Sequence, residues 1–326
     1  MSIPITLLTG FLGSGKTTFL NRLMQTPTMG DALVLVNEVG EVSVDHLLVR
    51  HVDERMVVLP SGCVCCALRE DLVDSLSDEA LLEGRSRVVI ETTGLADPTP
   101  LVATIVQHPV LRARFHLDAV VVALDATRAA GVVESYPEAP KQLALADIVL
   151  ITKSDLARES EIHEAEALAR SAAPDATLLR ATLDGTEGEV LFGTPSKHVG
   201  RPPVEGAHTH THGIRTFFVE SRTPVAYRQL ALWISLMSQL NGARMLRLKG
   251  LVHVSDHDDP VVVQAVQHVV YPTYTLDAWP EGTPRTRLSG ITQGMSDRQF
   301  EDTVASLRQT VSTAADEHRA PRRGRP

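Results

Sequence analysis

A glycine-rich segment near the start of the sequence has the residue types that bind phosphate. Gly10-Phe-Leu-Gly13-Ser-Gly15-Lys16-Thr17 fits the pattern G-x-x-x-x-G-K-[ST], after a strand-like run and before a helical pattern. Glycines let the backbone wrap round a diphosphate with its N–H groups pointing inward, and the next helix adds partial positive charge. We expect Lys16 to reach the β- and γ-phosphates and the Thr17 hydroxyl to ligate Mg²⁺. In the empty loop the Lys16 ammonium is expected to be solvated; a glycine-rich turn with a chance lysine is the competing interpretation.

Two later segments have the residue types that complete a nucleotide site. Residues 88–94, Val-Val-Ile-Glu-Thr-Thr-Gly, form an apolar strand pattern that ends in Glu91. In P-loop proteins an acid at this place supports Mg²⁺, here through a water molecule, and Gly94 is placed to offer its N–H to the γ-phosphate. The alternative is a buried strand that ends in glutamate by chance.

The second of these segments, Thr152-Lys153-Ser154-Asp155, resembles the base-reading element of GTPases. The carboxylate of Asp155 can accept both N1–H and the 2-amino group of guanine, whereas adenine would leave it unpaired. The Lys153 stem can lie over the purine face. Thr152 stands where asparagine is commoner, and a loop with a chance lysine and aspartate is the alternative.

All three cysteines of the chain, Cys63, Cys65 and Cys66, lie within four positions on a predicted loop. Three thiolates this close can share one Zn²⁺, with Co²⁺ as a second possibility, if a fourth ligand comes from elsewhere. Glu38, just after the second predicted strand, is the nearest plausible oxygen ligand. Disulfide formation between neighbouring cysteines and inert buried thiols are the alternatives.

Alternating strand and helix patterns over the first 190 residues must position these motifs. Most strand candidates are nearly continuous apolar runs, which is typical of a parallel sheet with helices on both faces. The alternation predicts a doubly wound α/β domain. The predicted strands are Ile3–Leu8, Ala32–Asn37, Arg87–Glu91, Asp118–Leu124, Asp147–Thr152 and Ala176–Arg180. The predicted helices are Thr17–Gln25, Ala67–Leu82, Pro98–His108 and Ala157–Ala172.

A change in composition separates this domain from a second unit. Prolines, glycines and histidines crowd residues 193–213, which we interpret as a linker. His208, His210 and His212 alternate within it, and such a run is either a weak metal-loading site or a solvated polar segment. The predicted limits are 1–192 for the P-loop domain, 214–312 for the second unit and 313–326 for a basic tail.

The second unit is predicted to be a smaller α+β domain. Thr223 is expected to cap a helix that starts at Pro224, and Ser296 a last helix that runs to about Val311. The strand candidates are Ile214–Ser221, Ala243–Lys249, Leu251–Val254, Val261–Tyr271 and Arg285–Ile291. An apolar helix stripe is expected to pack in the core, with a client-binding surface as the alternative. The stripe is Leu230, Trp233, Ile234, Met237 and Leu240.

Composition excludes several classes of protein. The chain has 326 residues, 43% of them hydrophobic, and a formal net charge of −9. An acidic chain is a poor non-specific binder of nucleic acid or of anionic membranes. We find no apolar run of about 18 residues and no signal-peptide pattern, so we expect a cytoplasmic protein in a reducing compartment.

Together these motifs resemble those of the CobW-type metallochaperone GTPases, relatives of the urease- and hydrogenase-maturation GTPases. The resemblance rests on GFLGSGKTT, VNEVGEV, GCVCC, ETTGLADP and TKSD, and it covers nearly the whole chain, including a CobW C-terminal-type unit. Val39 departs from the commoner Phe or Ile. The resemblance implies Mg²⁺ and GTP or GDP as cofactors, Zn²⁺ (or Co²⁺) as metal, a client metalloprotein as partner, and allows a homo-oligomer. It places Gly13, Ser14, Gly15, Lys16, Thr17 and Thr18 on phosphate and Mg²⁺, Lys153 and Asp155 on guanine, and Glu38, Cys63, Cys65 and Cys66 near metal.

The functional hypothesis is a nucleotide-controlled metal switch. Lys16 and Glu91 are the catalytic candidates; Gly10, Gly94 and Thr152 complete the nucleotide set. Because the sequence identifies neither an arginine finger nor a water-orienting glutamine, we expect slow hydrolysis of GTP. The alternatives are a zinc-storage or sensor protein with a structural nucleotide site, and a P-loop ATPase or kinase.

Overall fold

The computed structural model describes residues 2–37, 56–59, 67–95, 97–181, 188–192, 213–280 and 282–312. The described residues divide into two compact units, one up to residue 192 and one from residue 213. In the described ranges, no helix combines the length and apolar character needed to cross a bilayer.

The first unit is a parallel seven-stranded sheet flanked by helices, as the apolar runs predict. The strand order is β3-β2-β4-β1-β5-β6-β7, and every neighbouring pair is parallel. The strands are β1 (Ile3–Thr9), β2 (Ala32–Asn37), β3 (Met56–Leu59), β4 (Arg87–Glu91), β5 (Phe115–Asp125), β6 (Ile148–Thr152) and β7 (Thr177–Arg180). The sequence missed only β3 among them, because its four apolar residues are too few to define a period.

The first unit contains more helices than the four that the sequence predicts. The stretch predicted as one helix over Ala67–Leu82 is two helices, because Asp78 accepts a hydrogen bond from the Ala80 amide (2.9 Å) and caps the second one. Several short helices escaped prediction. The helices are α1 (Lys16–Leu23), α2 (Ala67–Ser77), α3 (Glu79–Leu82), α4 (Thr99–Gln107), α5 (Pro109–Arg114), α6 (Ala129–Ser135), α7 (Glu138–Ala144), α8 (Glu159–Ala172) and α9 (Gly188–Leu191).

Four neighbouring strands of this sheet end in a buried polar residue. The final residues of β4, β1, β5 and β6 are Glu91, Thr9, Asp125 and Thr152, and each is at most 6% exposed. Because the strands are parallel, these residues lie at the same edge of the sheet. The loops that follow them carry the predicted nucleotide motifs.

The second unit is an antiparallel sheet covered on one face by two helices. The sheet order is β11-β10-β9-β13-β8, with β12 paired to β10. Its strands are β8 (Ile214–Ser221), β9 (Met245–Val252), β10 (Val261–Val266), β11 (Val269–Val270), β12 (Tyr274–Thr275) and β13 (Thr286–Gln293). Leu230 and Trp233 of α10 (Tyr227–Asn241) and Leu307 of α11 (Asp297–Ser312) pack in one core with the sheet. This arrangement confirms the predicted α+β class.

Local predictions in the second unit were partly wrong. Helix α10 begins at Tyr227 and not at Pro224, because Val225 is extended and bridges to Val254. The predicted cap at Ser296 is present: its hydroxyl accepts from the Gln299 amide at 3.3 Å.

The strand limits of this unit also changed. Strand β9 is continuous through Gly250, where a side chain would collide with the Arg287 carbonyl. Residues 261–271 turn at Gln267, whose φ is 49°, and so form two strands. Leu240, expected in the core, is 73% exposed, because α10 turns that position outward near its end.

Candidate nucleotide-binding site

The glycine-rich loop joins β1 to α1 in the backbone conformations that its glycines allow. Gly10, Gly13 and Gly15 have φ values of 139°, 72° and 85°, a region that side-chain-bearing residues rarely adopt. A side chain at Gly10 would also collide with the carbonyl of Ala123 on β5. The loop leads directly into α1, and the amino end of a helix favours an anion because its first amides point out of the helix. The cradle therefore fits a diphosphate.

Lys16 is oriented along this loop. Its Nζ donates hydrogen bonds to the carbonyls of Gly10 (2.9 Å) and Phe11 (3.3 Å), and the residue is only 7% exposed. The expectation of a solvated ammonium is therefore wrong: loop carbonyls that turn inward bind the ammonium and remove it from water. Ser14 is buried as well, whereas Thr18 is exposed on α1.

Thr17 and Glu91, the two residues predicted to serve Mg²⁺, are in direct contact. The Thr17 hydroxyl donates to Glu91 Oε1 at 2.6 Å, and Glu91 is buried at the end of β4. Beside them, the Thr92 amide donates to the Leu8 carbonyl at 2.9 Å and so fixes the chain that leaves β4 against β1. A hydroxyl and a carboxylate are donors that Mg²⁺ prefers, so this pair fits the implied cation.

Gly94 lies directly against the phosphate loop. A Cβ atom there would stand 2.6 Å from the Leu12 amide nitrogen, so only glycine fits without movement. The side chain of Gln142, on α7 and 1% exposed, donates from Nε2 to the Gly94 carbonyl at 3.3 Å. Gln142 was not among the residues predicted for this site. The available signal was a single polar residue in the apolar run 142–146 that precedes β6.

The loop after β6 is tied to the phosphate loop by two side chains. Thr152 Oγ1 donates to the Ser14 carbonyl at 2.7 Å, and Lys153 Nζ donates to the Gly13 carbonyl at 2.7 Å. Asp155 is exposed in the same loop. The structure therefore brings the predicted base-reading and phosphate-binding segments together.

Asp125 is a member of this group that sequence analysis missed. Lys153 Nζ also donates to Asp125 Oδ2 at 2.7 Å. The signal in the sequence was an aspartate at the end of an apolar strand pattern, the same signal that identified Glu91. The sequence does not show that β5 and β6 are neighbours in the sheet, so it does not pair Asp125 with Lys153.

Both units of the chain match models of known protein families. The family model of the CobW/HypB/UreG nucleotide-binding domain matches residues 4–180, more than half of the chain. The chain belongs to the CobW/HypB/UreG family. The model of the cobalamin synthesis protein cobW C-terminal domain matches residues 214–308, within the antiparallel unit.

Full-length relatives of this family member are known. The chain is 31% identical over 320 residues to the zinc chaperone YjiA of Escherichia coli K12, covering 94% of this chain and 99% of that one. It is 27% identical to the zinc chaperone CobW of a Sinorhizobium species, covering 88% and 91% of the two chains. The crystal structure of Zn(II)-bound YjiA GTPase aligns with a TM-score of 0.68 and 27% identity, over 94% and 99%. A Zn(II)-bound triple mutant of YjiA, with one glutamate and two cysteines replaced by alanine, aligns equally well.

The predicted metal ligands of this CobW/HypB/UreG family member lie outside the described residues. They are Glu38, Cys63, Cys65 and Cys66, and the histidines His208, His210 and His212 lie outside them too. The structure describes the elements on either side of them in the chain: β2 ends at Asn37 before Glu38, and the cysteines lie between β3, which ends at Leu59, and α2, which begins at Ala67. In the described part of the chain, no group of three or more His, Cys, Asp or Glu residues could hold a metal ion.

Proposed function

We propose that this chain is a GTPase metallochaperone that binds zinc at the loop of Cys63, Cys65 and Cys66 and delivers it to a client metalloprotein. The observation that carries the proposal is the shared edge of β4, β1, β5 and β6, where the glycine-rich loop, the Thr17–Glu91 pair and the Lys153 loop converge. The zinc-chaperone names of full-length relatives support zinc as the cargo.

Hydrolysis of GTP would depend mainly on positioning and on charge neutralisation. Lys16, already aligned with the loop, moves its ammonium from loop carbonyls to phosphate oxygens. Mg²⁺, when bound, neutralises phosphate charge; Thr17 and Glu91 would hold it, Glu91 through water. Gly94 offers its N–H to the γ-phosphate, and the Gln142 side chain fixes the peptide that follows. Since no group among the described residues is assigned to activate the attacking water, we expect a slow intrinsic rate.

Guanine recognition rests on Asp155. Its exposed carboxylate accepts both N–H donors of the base, and the Lys153 stem covers the purine face. An ATPase or kinase would have no use for a carboxylate at this place, because adenine lacks both donors.

Metal binding rests on the cysteine loop, with Glu38 as fourth ligand. Glu38 directly follows β2, and β2 pairs with β4, where Val36 is the partner of Glu91. Cys66 directly precedes α2. Glu38 is therefore connected in the chain to a strand beside Glu91, and the cysteines are connected to α2. Through these connections, loss of the γ-phosphate would alter the thiolate geometry.

The nucleotide part of the proposal is tested by comparing affinities for GDP and ADP. The wild-type chain is expected to prefer GDP, and Asp155→Asn to lose that preference. The asparagine amide can donate to the C2 carbonyl of xanthine, so the variant should gain affinity for xanthosine diphosphate. An unchanged ratio of GDP to ADP affinity in Asp155→Asn would contradict guanine recognition by Asp155. That result would favour the alternative of a P-loop ATPase or kinase.

The metal part needs a measurement specific for thiolate ligation. Zn(II) is bound by the YjiA variant that lacks one glutamate and two cysteines, so zinc stoichiometry alone does not identify a site. Co²⁺ bound to this chain should give thiolate-to-metal charge-transfer bands, and the Cys65→Ser/Cys66→Ser variant should lose them. Bands of equal intensity in that variant would exclude the cysteine loop.

The histidine run is proposed to be a weak loading site in a linker over residues 193–213. Deletion of residues 207–212 should then remove one weak metal equivalent and leave the tight one intact. Unchanged stoichiometry and affinity in a chelator competition would reduce the run to a linker.

A further inference from the structure

Asp125 connects two loops of the nucleotide site without itself belonging to either motif. It is the last residue of β5, and its side chain is 8% exposed. One carboxylate oxygen, Oδ2, accepts from Lys153 Nζ at 2.7 Å. The other, Oδ1, accepts from the amide and the hydroxyl of Thr127 at 2.9 and 2.7 Å. These contacts fix the carboxylate in one orientation.

Lys153 needs such a partner because its backbone conformation is energetically unfavourable. The residue has a φ of 56°, a left-handed conformation that side-chain-bearing residues seldom adopt, and its side chain is a third exposed. A carbonyl contact to Gly13 alone would compete with water for a partly exposed ammonium. The charged hydrogen bond to the buried Asp125 carboxylate holds the Lys153 ammonium in place, and so stabilises its contact with the Gly13 carbonyl.

We propose that Asp125 is a positioning residue of the nucleotide site: it holds Lys153 with its stem over the purine face and its ammonium on the phosphate loop at Gly13. The proposal rests on the guanine site proposed above. Asp125 acts through Lys153, whose stem covers any purine equally, whereas Asp155 selects guanine. Loss of Asp125 therefore lowers the affinity for purine nucleotides and leaves the GDP/ADP ratio unchanged, which separates its role from that of Asp155.

The test is a double-mutant cycle on nucleotide affinity. Asp125→Asn keeps the size of the side chain and removes its charge, and should weaken GDP binding by about 10- to 100-fold, as expected for loss of a charged hydrogen bond. Lys153→Met should weaken it by a similar factor. Adding Asp125→Asn to Lys153→Met should then cost little more, because the two residues act as a unit. Fully additive losses, or GDP affinity unchanged in Asp125→Asn, would overturn the proposal.

Asp147 supplies a matched control at the opposite edge of the same strand pair. This buried aspartate accepts from the Val120 amide at 2.9 Å, before β6 begins. Asp147→Asn should lower thermal stability and leave GDP affinity within about twofold of the wild type, since Asp147 lies at the other end of β6 from Thr152. If it weakened GDP binding as much as Asp125→Asn, the effect would be general destabilisation, and the proposal would fall.

A milder variant covers the case in which Asp125→Asn does not fold. Thr127→Val removes the hydroxyl that fixes Asp125 Oδ1 and should weaken GDP binding by about 2- to 5-fold at an unchanged GDP/ADP ratio. Unchanged affinity there would count against the proposal. A wild-type chain that binds GDP and ADP equally would instead contradict the guanine site itself, and the inference with it.

Discussion

The two sheets of this protein distribute their buried polar residues differently. In the parallel sheet four of the five buried polar strand residues, Thr9, Glu91, Asp125 and Thr152, lie at the carboxyl ends of neighbouring strands, and only Thr6 lies within a strand, among the described residues. In the antiparallel sheet they occur along the strands, as Arg247, Lys249, Thr286, Ser289 and Thr292. On β13, for example, the Thr292 hydroxyl donates to the Arg215 carbonyl on β8 at 3.2 Å, a bond within the sheet.

Strand direction explains the difference. Parallel strands bring all their carboxyl ends to one edge, where short loops can combine side chains from four strands in one site. Antiparallel neighbours send their carboxyl ends to opposite edges, so the polar residues of the second sheet do not gather at one edge, and contacts such as the one from Ser289 Oγ to the Lys249 carbonyl (3.4 Å) lie within the sheet. The proposed nucleotide chemistry therefore belongs to the first unit, where the polar strand ends meet at one edge.

The largest effect is expected from Lys16→Ala. Loss of the ammonium that serves the β- and γ-phosphates should weaken GTP binding more than about 100-fold and abolish hydrolysis. Because Lys16 also bonds to two loop carbonyls, a small fall in thermal stability should accompany it. Isothermal titration measures the GTP affinity, and thermal unfolding measures the stability. Lys141→Ala, on α7, is the control and should change neither; retained hydrolysis in Lys16→Ala would contradict the site.

Glu91→Gln should come next. The amide oxygen can still accept from Thr17, but the charge that supports Mg²⁺ is lost. The rate of GTP hydrolysis should fall by roughly 100-fold, mostly because the variant binds Mg²⁺ more weakly and needs more of it. A Mg²⁺ titration of the rate measures this. An unchanged midpoint and maximum would remove Glu91 from the cation site.

Gln142→Leu should have a smaller and more selective effect. Without the bond to the Gly94 carbonyl, GTP should lose about 2- to 10-fold in affinity while GDP binding is unchanged, because only GTP reaches Gly94. Competition between the two nucleotides gives the ratio. Gln107→Leu, an exposed position on α4, is the control. Equal losses for GTP and GDP would show that Gln142 only supports packing.

The comparison predicts the smallest functional effect in the antiparallel unit. Trp233→Phe removes the hydrogen bond from Trp233 Nε1 to Ser306 Oγ, 2.9 Å long, which joins α10 to α11. The free energy of unfolding should fall by about 1 kcal/mol with GDP affinity unchanged. Denaturant unfolding and a GDP titration of the same variant check both. Weakened GDP binding in a folded Trp233→Phe protein would contradict the inference that only the parallel-sheet unit serves nucleotide binding.

The sequence carried most of the fold and part of the site. Strands of the first unit were predictable because buried parallel strands are continuous apolar runs, and Lys16, Thr17 and Glu91 because their motifs are local. Asp125 and Gln142 were not, because their contacts with Lys153 and Gly94 join residues that are 28 and 48 positions apart. Leu240 was misassigned because it lies in the last turn of α10, where the helix turns that position outward.

The central claim, that nucleotide state sets zinc affinity, is tested most directly by a chelator-competition titration of zinc. The titration is run with GDP, with a non-hydrolysable GTP analogue and without nucleotide. A working switch should change zinc affinity by roughly 5- to 150-fold between the GDP and GTP-analogue states, and zinc should change the affinity ratio of the two nucleotides by the same factor. In Lys16→Ala the dependence should disappear. Equal zinc affinities in all three states of the wild-type chain would contradict the switch and favour a zinc-storage or sensor protein with a structural nucleotide site.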